Sequence, residues 1–372
     1  MICGGGTGGH LYPAIALAKA LQAKDPSVEI QFVGTSRGIE NKVIPGLGYK
    51  LEVLPSKPLR RKISFDVFPF FWANVKGLCR SVSLIKRFSP DVVVGFGGYA
   101  SFGPILASYF LKIPRMLHEQ NIVPGLANRI LSRFSSEIAV SHKTSMRFFK
   151  SKAKMYLTGN PVREEYTVKY DRKTAAEQLN LNSELKTVLV FGGSQGAKAI
   201  NKAMVEAYPL LKDKAVQIIH IAGKNGYEET KKIIDSIKAN TDRLVYRLYD
   251  FYEKMNIIYG ISDLVICRAG ATTISEITAQ RLPSILIPYP YASENHQEIN
   301  AKALRDTGAA EIIHDSEING LALAQEVEKM LFNDKLLEKM QRACDEYASP
   351  NAADLLAGIV AKNRLVKESD ER

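Results

Sequence analysis

Four glycine-rich stretches carry most of the chemistry this chain can offer. Gly4-Gly5-Gly6-Thr7-Gly8-Gly9-His10 runs straight into an apolar helical pattern, and Gly95-Phe96-Gly97-Gly98-Tyr99-Ala100-Ser101 follows an apolar run at residues 91–94. Gly192-Gly193-Ser194-Gln195-Gly196-Ala197 follows residues 187–191, and Cys267-Arg268-Ala269-Gly270-Ala271-Thr272-Thr273 follows residues 264–267. Glycine admits positive φ and close backbone approach, and the first N–H groups of a helix carry partial positive charge. Such a loop can cradle an anion or a developing oxyanion. A single one serves equally well as a tight strand–helix turn that binds nothing. Four at predicted strand ends, where open αβ sheets take their ligands, favour an anionic substrate.

Polar side chains cluster beside these loops. His10 closes the first, His118-Glu119-Gln120-Asn121 follows a predicted strand, and Glu276 lies three residues after Thr273. Histidine at a cleft rim suits general-base work near neutral pH, although a capping or packing role would place it there too. Glu119 is a second candidate base, or a group that orients its neighbours or forms an ion pair. Ser275 and Glu276 open a helical pattern, where a carboxylate also serves simply to support a helix N-terminus. None of the loops reads G-x-G-x-x-G with a following acidic residue, nor G-x-x-x-x-G-K-[ST], which disfavours a dinucleotide dehydrogenase and a P-loop nucleotidase. There is no H-E-x-x-H and no Asp-x-Asp pair, so no metal ligands are assigned and no cofactor is expected. A leaving diphosphate would then be stabilised by helix termini and arginine.

The elements that must position these groups alternate short apolar runs with helical patterns, the signature of βαβ units and parallel sheets. In the first part, residues 30–33, 91–94, 115–117 and 137–140 read as strands, and residues 13–21, 70–88 and 104–111 as helices. Around residues 158–163 a Gly-Asn-Pro turn reads as a linker. The pattern then restarts, with strands at 187–191, 216–221, 244–248, 264–267 and 284–287 and helices at 196–211 and 227–239. The expected architecture is α/β, with two Rossmann-like parallel-sheet domains facing across a cleft. Residues 1–160 form the first domain and 161–349 the second, and a helical tail from 350 to 372 packs back on the first. Only Met1-Ile2-Cys3 precedes the first glycine loop, so either the first strand is a stub or the chain starts upstream.

Composition narrows the class. Of 372 residues, 46% are hydrophobic and 24% charged, ordinary values for a globular protein with a sizeable core. The four cysteines (Cys3, Cys79, Cys267, Cys344) are scattered, which fits reduced thiols in a cytosolic protein better than a disulfide or zinc scaffold. No basic-then-apolar leader opens the chain, and no stretch approaches the roughly 20 apolar residues of a membrane helix. The net charge of +11 is unevenly spread: residues 1–163 hold 23 Lys/Arg against 8 Asp/Glu, a balance of +15, and the remainder is at −4. That asymmetry calls for an anionic partner at the first part. Phe65, Val67, Phe68, Phe70, Phe71 and Trp72 form an aromatic cluster. It is flanked by Arg60, Arg61 and Lys62 before and Lys76, Arg80, Lys86 and Arg87 after. Aromatics bordered by cations suit an anionic membrane surface.

Read in order, GGGTGGH, GGYAS, HEQN, NPVR, GGSQGA, CRAGATTISE and HQEINA resemble the bacterial peptidoglycan glycosyltransferases of family 28, over nearly the whole chain. The resemblance implies a GT-B architecture with the acceptor site in the first domain and the UDP-sugar site chiefly in the second. It implies metal-independent, inverting transfer of N-acetylglucosamine from UDP-N-acetylglucosamine to lipid I. Carried over motif by motif, Thr7, Gly8 and Gly9 contact the donor or its diphosphate, and Asn121 the sugar. Arg163 and Ser194 lie on the diphosphate side, Glu276 holds the ribose hydroxyls, and Gln297 reaches the sugar or diphosphate. His10 and Glu119 are the candidates for deprotonating the acceptor's C4 hydroxyl, with His10 ranked first. The family often has a Gln pair where this chain has His296-Gln297. An undecaprenyl-linked acceptor also implies a peripheral enzyme on the cytoplasmic face of the plasma membrane, with cell-wall synthesis proteins open as partners.

Two other readings differ in class or reaction. A nucleic-acid binder would use the same positive charge, but no helix-turn-helix, zinc finger or RRM signature accompanies it, so no nucleic acid is expected. A UDP-N-acetylglucosamine 2-epimerase would use a related fold without a lipid and without the basic-aromatic patch. A diacylglycerol glycosyltransferase differs only in its acceptor.

Overall fold

The computed structural model describes residues 1–36, 38–55, 67–193 and 195–370, with the side chains of 67–71, 73 and 364–370 left aside. The chain divides into two units: Met1–Arg163 with Ser349–Arg372, and Glu164–Ala348.

The amino-terminal unit is built on seven parallel strands: β1 (Ile2–Cys3), β2 (Gln31–Thr35), β3 (Lys50–Leu54), β4 (Val93–Gly95), β5 (Arg115–Glu119), β6 (Glu137–Val140) and β7 (Lys154–Leu157). Their spatial order is β3-β2-β1-β4-β5-β6-β7. β1 has only two residues, yet it is a central strand. Ile2 and Cys3 register with Phe32 and Val33 of β2 on one side and with Val94 and Gly95 of β4 on the other.

Successive residues alternate between two apolar layers, as the pleat requires. Ile2, Phe32, Val94 and Met116 pack with the helix Gly8–Lys24 and with Leu356, Ala357 and Val360 of the terminal helix Ala352–Asp370. Cys3, Val33, Val93 and Leu117 face the other layer with Leu84, Ile85 and Ile105. The terminal helix packs directly on the helix Gly8–Lys24, so the helical tail belongs to this unit.

The carboxyl-terminal unit repeats the plan with six parallel strands: β8 (Lys186–Phe191), β9 (Val216–Ile221), β10 (Val245–Tyr249), β11 (Leu264–Cys267), β12 (Ser284–Leu286) and β13 (Ala310–Ile312). Their order is β10-β9-β8-β11-β12-β13. β8, β9 and β11 are near-continuous β-branched and leucine runs, as strands buried on both faces must be. Three helix starts away from the glycine loops are capped by side chains: Asp171 accepts from Thr174 N, Asn319 from Ala322 N and Asn333 from Leu336 N.

The order of strands reverses once in each sheet, between β1 and β4 and between β8 and β11. These are the topological switch points, where diverging loops leave a crevice at the carboxyl ends of the strands. The four glycine-rich stretches follow β1, β4, β8 and β11. The sequence thus places these four loops at the two switch points.

β9 carries a fully buried histidine, His220, within 2.6 Å of the Tyr246 hydroxyl and 3.0 Å of Asn201 Oδ1. Asn201 Nδ2 donates to Ala222 O at 2.9 Å, so its Oδ1 is the acceptor end, and His220 bonds it as the neutral Nε2–H tautomer. Burial lowers the His220 pKa from 6.5 to about 3. An unfolded chain therefore binds a proton that the native state refuses. Stability contributed by neutral His220 is complete above pH 6.5 and is lost as the pH falls toward 3, by up to about 1.4 kcal/mol per pH unit. Urea unfolding at pH 7, 6 and 5 checks this: the midpoint should fall with pH, and less steeply in His220→Gln. Equal pH dependence in the two proteins would refute the assignment.

Candidate active site

The first glycine loop bridges β1 and the helix Gly8–Lys24, and a buried carboxylate holds it. Glu40, fully buried at the start of the helix Glu40–Gly46, accepts from Gly6 N at 2.9 Å through Oε2. Its Oε1 accepts from the Thr35 backbone N–H at 2.8 Å and from the Thr35 hydroxyl at 2.9 Å. A Cβ at Gly5, Gly34 or Gly38 would stand 2.3, 2.6 or 1.9 Å from Glu40 atoms. Glycine at these positions makes room for the anchor. Thr7 is exposed and extended, and its hydroxyl does not cap the helix that begins at Gly8. Gly9 is exposed, and Gly8 and His10 are half-buried.

The second loop packs against His10. Gly97 and Gly98 have φ of 95° and 70°, and Cβ atoms there would meet His10 Cε1 at 3.3 Å and Cδ2 at 3.4 Å. The Ser101 hydroxyl ties this loop to β1, lying 2.9 Å from both Cys3 O and Gly97 O and accepting from Gly97 N at 3.1 Å. On its other side His10 reaches the third loop of the unit, with Nδ1 2.9 Å from Gln120 Oε1. The structure therefore brings Thr7, Gly8, Gly9 and His10 to the same edge of the sheet as the His118–Asn121 segment.

Glu119 differs from His10 in kind. It is 1% exposed, and both carboxylate oxygens are occupied. Oε1 accepts from Asn121 N at 3.0 Å and Asn121 Nδ2 at 3.3 Å, and Oε2 from Gly125 N at 3.2 Å and Asn128 Nδ2 at 2.8 Å. This carboxylate orders the loop from 119 to 128 and aims Asn121, the role of orienting its neighbours that the sequence left open. Arg163 stacks its guanidinium over the Tyr12 ring at 4.4 Å, next to the first glycine loop's helix.

In the carboxyl-terminal unit, the helices Lys198–Leu211 and Ala271–Ala279 both begin without a side-chain cap, directly after the Gly192 and Arg268–Gly270 loops. Ser194 lies outside the described residues. Glu276 is half-buried on the second of these helices, with Oε2 accepting from the buried Tyr259 hydroxyl at 3.2 Å. Gln297 opens the helix His296–Thr307, and its Oε1 accepts from Tyr289 N at 2.9 Å, fixing the loop after β12. Arg268 braces the same loop, bonding Ile287 O and Pro288 O and pairing with Asp315. Glu276 and Gln297 thus stand at neighbouring strand ends of one sheet. Among the described residues no three His, Cys, Asp or Glu side chains converge as a metal-ligand group.

Sequence reasoning missed Glu40, Ser101, Arg268 as a brace, and any role for Gln120. Each acts through backbone groups distant in sequence, which leave no local spacing to read.

Two parallel-sheet αβ units of this construction, with glycine loops at both switch points, define the GT-B class of glycosyltransferases. Residues 1–140 match the glycosyltransferase family 28 N-terminal domain and residues 187–356 its C-terminal domain. The UDP-N-acetylglucosamine--N-acetylmuramyl-(pentapeptide) pyrophosphoryl-undecaprenol N-acetylglucosamine transferase of Desulforamulus reducens is 41% identical, over 97% of this chain and 98% of its own. MurG of Acinetobacter baumannii superposes with a TM-score of 0.75 at 30% identity, covering 97% of this chain and 98% of that one. A putative UDP-N-acetylglucosamine 2-epimerase of Listeria monocytogenes shares the fold alone, with a TM-score of 0.69 at 16% identity over 96% of this chain and 94% of that one. The chain belongs to glycosyltransferase family 28.

The Glu40 anchor makes a prediction. In Glu40→Gln one carboxylate oxygen becomes an amide nitrogen facing backbone donors, so at least one buried N–H or the Thr35 hydroxyl loses its acceptor. Urea unfolding should show a loss of about 1–3 kcal/mol. Stability equal to wild type would mean that Glu40 does not hold the loop.

Proposed function

We propose that this enzyme transfers N-acetylglucosamine from UDP-N-acetylglucosamine to the C4 hydroxyl of the N-acetylmuramyl unit of lipid I, giving lipid II and UDP in peptidoglycan synthesis. One observation carries the reading: the similarity to a transferase of that name spans 97% of the chain, and so both units and all four switch-point loops.

The chemistry follows from the residues. The acceptor C4 oxygen attacks the anomeric carbon, the bond from that carbon to the β-phosphate oxygen breaks, and configuration inverts. The hydroxyl proton passes to His10 Nε2, which has no hydrogen-bond partner among the described residues. Glu119, with four donors on its two oxygens, is the poorer base and serves to present Asn121 to the sugar. Glu276 takes the ribose hydroxyls and Gln297 the sugar or diphosphate. The family resemblance assigns Arg163, Ser194 and the Thr7–Gly9 loop to the diphosphate, and an uncapped helix start offers N–H groups of the kind that stabilise such charge. No divalent ion is given a part.

The acceptor's lipid implies work at a membrane surface. No helix of the described residues is long and apolar enough to cross a membrane. Trp72, on the helix Val67–Phe88, is 70% exposed. That helix belongs to the unit whose sequence holds the excess positive charge. Of the expected patch, Arg60, Arg61, Lys62 and Phe65 lie outside the described residues. We read this face as the one that meets anionic lipid on the cytoplasmic side of the plasma membrane.

Two measurements test this reading. Radiolabelled N-acetylglucosamine should move from its UDP form to a lipid I analogue in detergent with chelator present. Donor binding without transfer would move the activity to an epimerase or another acceptor, and transfer that stops in chelator would contradict the metal-free reading. Separately, Trp72→Ser should weaken sedimentation with vesicles containing anionic lipid while leaving the fold intact by circular dichroism. Unchanged binding would remove the membrane face.

A further inference from the structure

We propose that Gln120 and His118 form an uncharged positioning relay that fixes His10 as its Nδ1–H tautomer, so that Nε2 alone carries the basic lone pair. This inference rests on the reading of His10 as the base.

The relay can be followed from its fixed end. Gly159 O accepts from the Thr158 hydroxyl at 2.9 Å and lies 3.0 Å from His118 Nε2. A carbonyl oxygen can only accept, so His118 carries its proton on Nε2 and leaves Nδ1 as an acceptor. Burial lowers the His118 pKa to about 4, so the ring stays neutral at physiological pH.

Gln120 comes next and is 4% exposed. Its Nε2 lies 3.0 Å from Phe96 O, 3.1 Å from His118 O and 3.1 Å from His118 Nδ1. All three neighbours are acceptors. Turning the amide over would set its oxygen against two carbonyl oxygens and a lone pair, so the nitrogen end must point there. Gln120 Oε1 is then what His10 Nδ1 meets at 2.9 Å, and that ring nitrogen must be the donor. A flipped ring would set Cδ2 rather than Nδ1 against Gln120 Oε1 and forfeit that hydrogen bond.

No proton need travel along this chain. Each member is neutral, and each passes on only a choice of donor or acceptor. The effect is to abolish the imidazole tautomer whose Nε2 is already protonated and could not take the acceptor's proton. Gln120 and His118 are therefore positioning residues, and His10 is the catalytic one.

The test uses the full chain with ¹⁵N-labelled imidazoles. With six histidines, single substitutions suffice to assign the ring signals. Above pH 7.5, wild type should show His10 protonated at Nδ1 and His118 at Nε2, a result that requires no variant to fold. Gln120→Met should release His10 into a mixture of tautomers and lower kcat by about tenfold or more, with the KM for UDP-N-acetylglucosamine little changed. Nε2-protonated His10 in wild type would overturn the relay, as would an unchanged tautomer and unchanged kcat in Gln120→Met. His10→Ala separates the two ideas. Full turnover in that variant would remove the base reading and with it the catalytic meaning of the relay. An inactive His10→Ala combined with the opposite tautomer in wild type would overturn the relay alone.

Discussion

A carboxylate taken out of water destabilises a fold by several kcal/mol unless its lone pairs meet donors. The amino-terminal unit buries two of them, Glu40 and Glu119, at the carboxyl ends of its strands. Each meets the requirement with backbone N–H groups, joined by the Thr35 hydroxyl at Glu40 and by the Asn121 and Asn128 side-chain amides at Glu119. Glu40 joins the loop after β1 to the end of β2, and Glu119 joins the end of β5 to the chain at Asn121, Gly125 and Asn128. The loops cannot drift without stranding a buried charge. A rigid edge is what a transferase needs if its donors are to be aimed before the reaction begins.

The switch points explain why glycine gathers where it does. At β1/β4 two loops leave the sheet in opposite directions, and the first residues of two helices approach each other. Gly97 and Gly98 keep their positive φ beside the His10 ring, so a side chain at either would strain the backbone. In the other unit Gly196 has a φ of 80°, and a Cβ there would stand 2.1 Å from Ala222 O, packing the loops after β8 and β9 together. Backbone–backbone packing at a strand end excludes every residue but glycine. The glycines are thus equally a folding constraint and the means by which a ligand can reach helix N–H groups.

Much of this was legible in the sequence. The apolar runs located β6, β9 and β11 to the residue, because each is predominantly apolar and lies between two flanking strands. The strands that escaped notice lie at edges: β3 and β7 at the margins of the seven-stranded sheet, and β13 at the margin of the other. β3 and β7 carry polar or exposed positions, as Lys50 and Leu157 show, and lack a continuous apolar signal. Motifs gave the site's loops and His10, since local spacing records a loop that must precede a helix. They could not give Glu40 or Ser101, whose partners lie at Gly6 and Thr35 and at Cys3 and Gly97. Nor could they divide labour between His10 and Glu119, which took a count of the donors around each.

That division has a physical logic beyond the count. Glu119 holds four N–H donors on its two oxygens, and a lone pair already holding a hydrogen bond accepts a sugar proton poorly. Giving that proton to Glu119 would also break the bonds that order Asn121 and the start of the helix Leu126–Leu131. An imidazole held through Nδ1 has no such conflict, because the bond that orients it strengthens when Nε2 is protonated and the ring becomes a cation. Keeping the rest of the network neutral, with His118 unable to compete for the proton, leaves one acceptor at the edge of the sheet. The same rule of satisfied buried polar groups that fixes the loops therefore also selects the base.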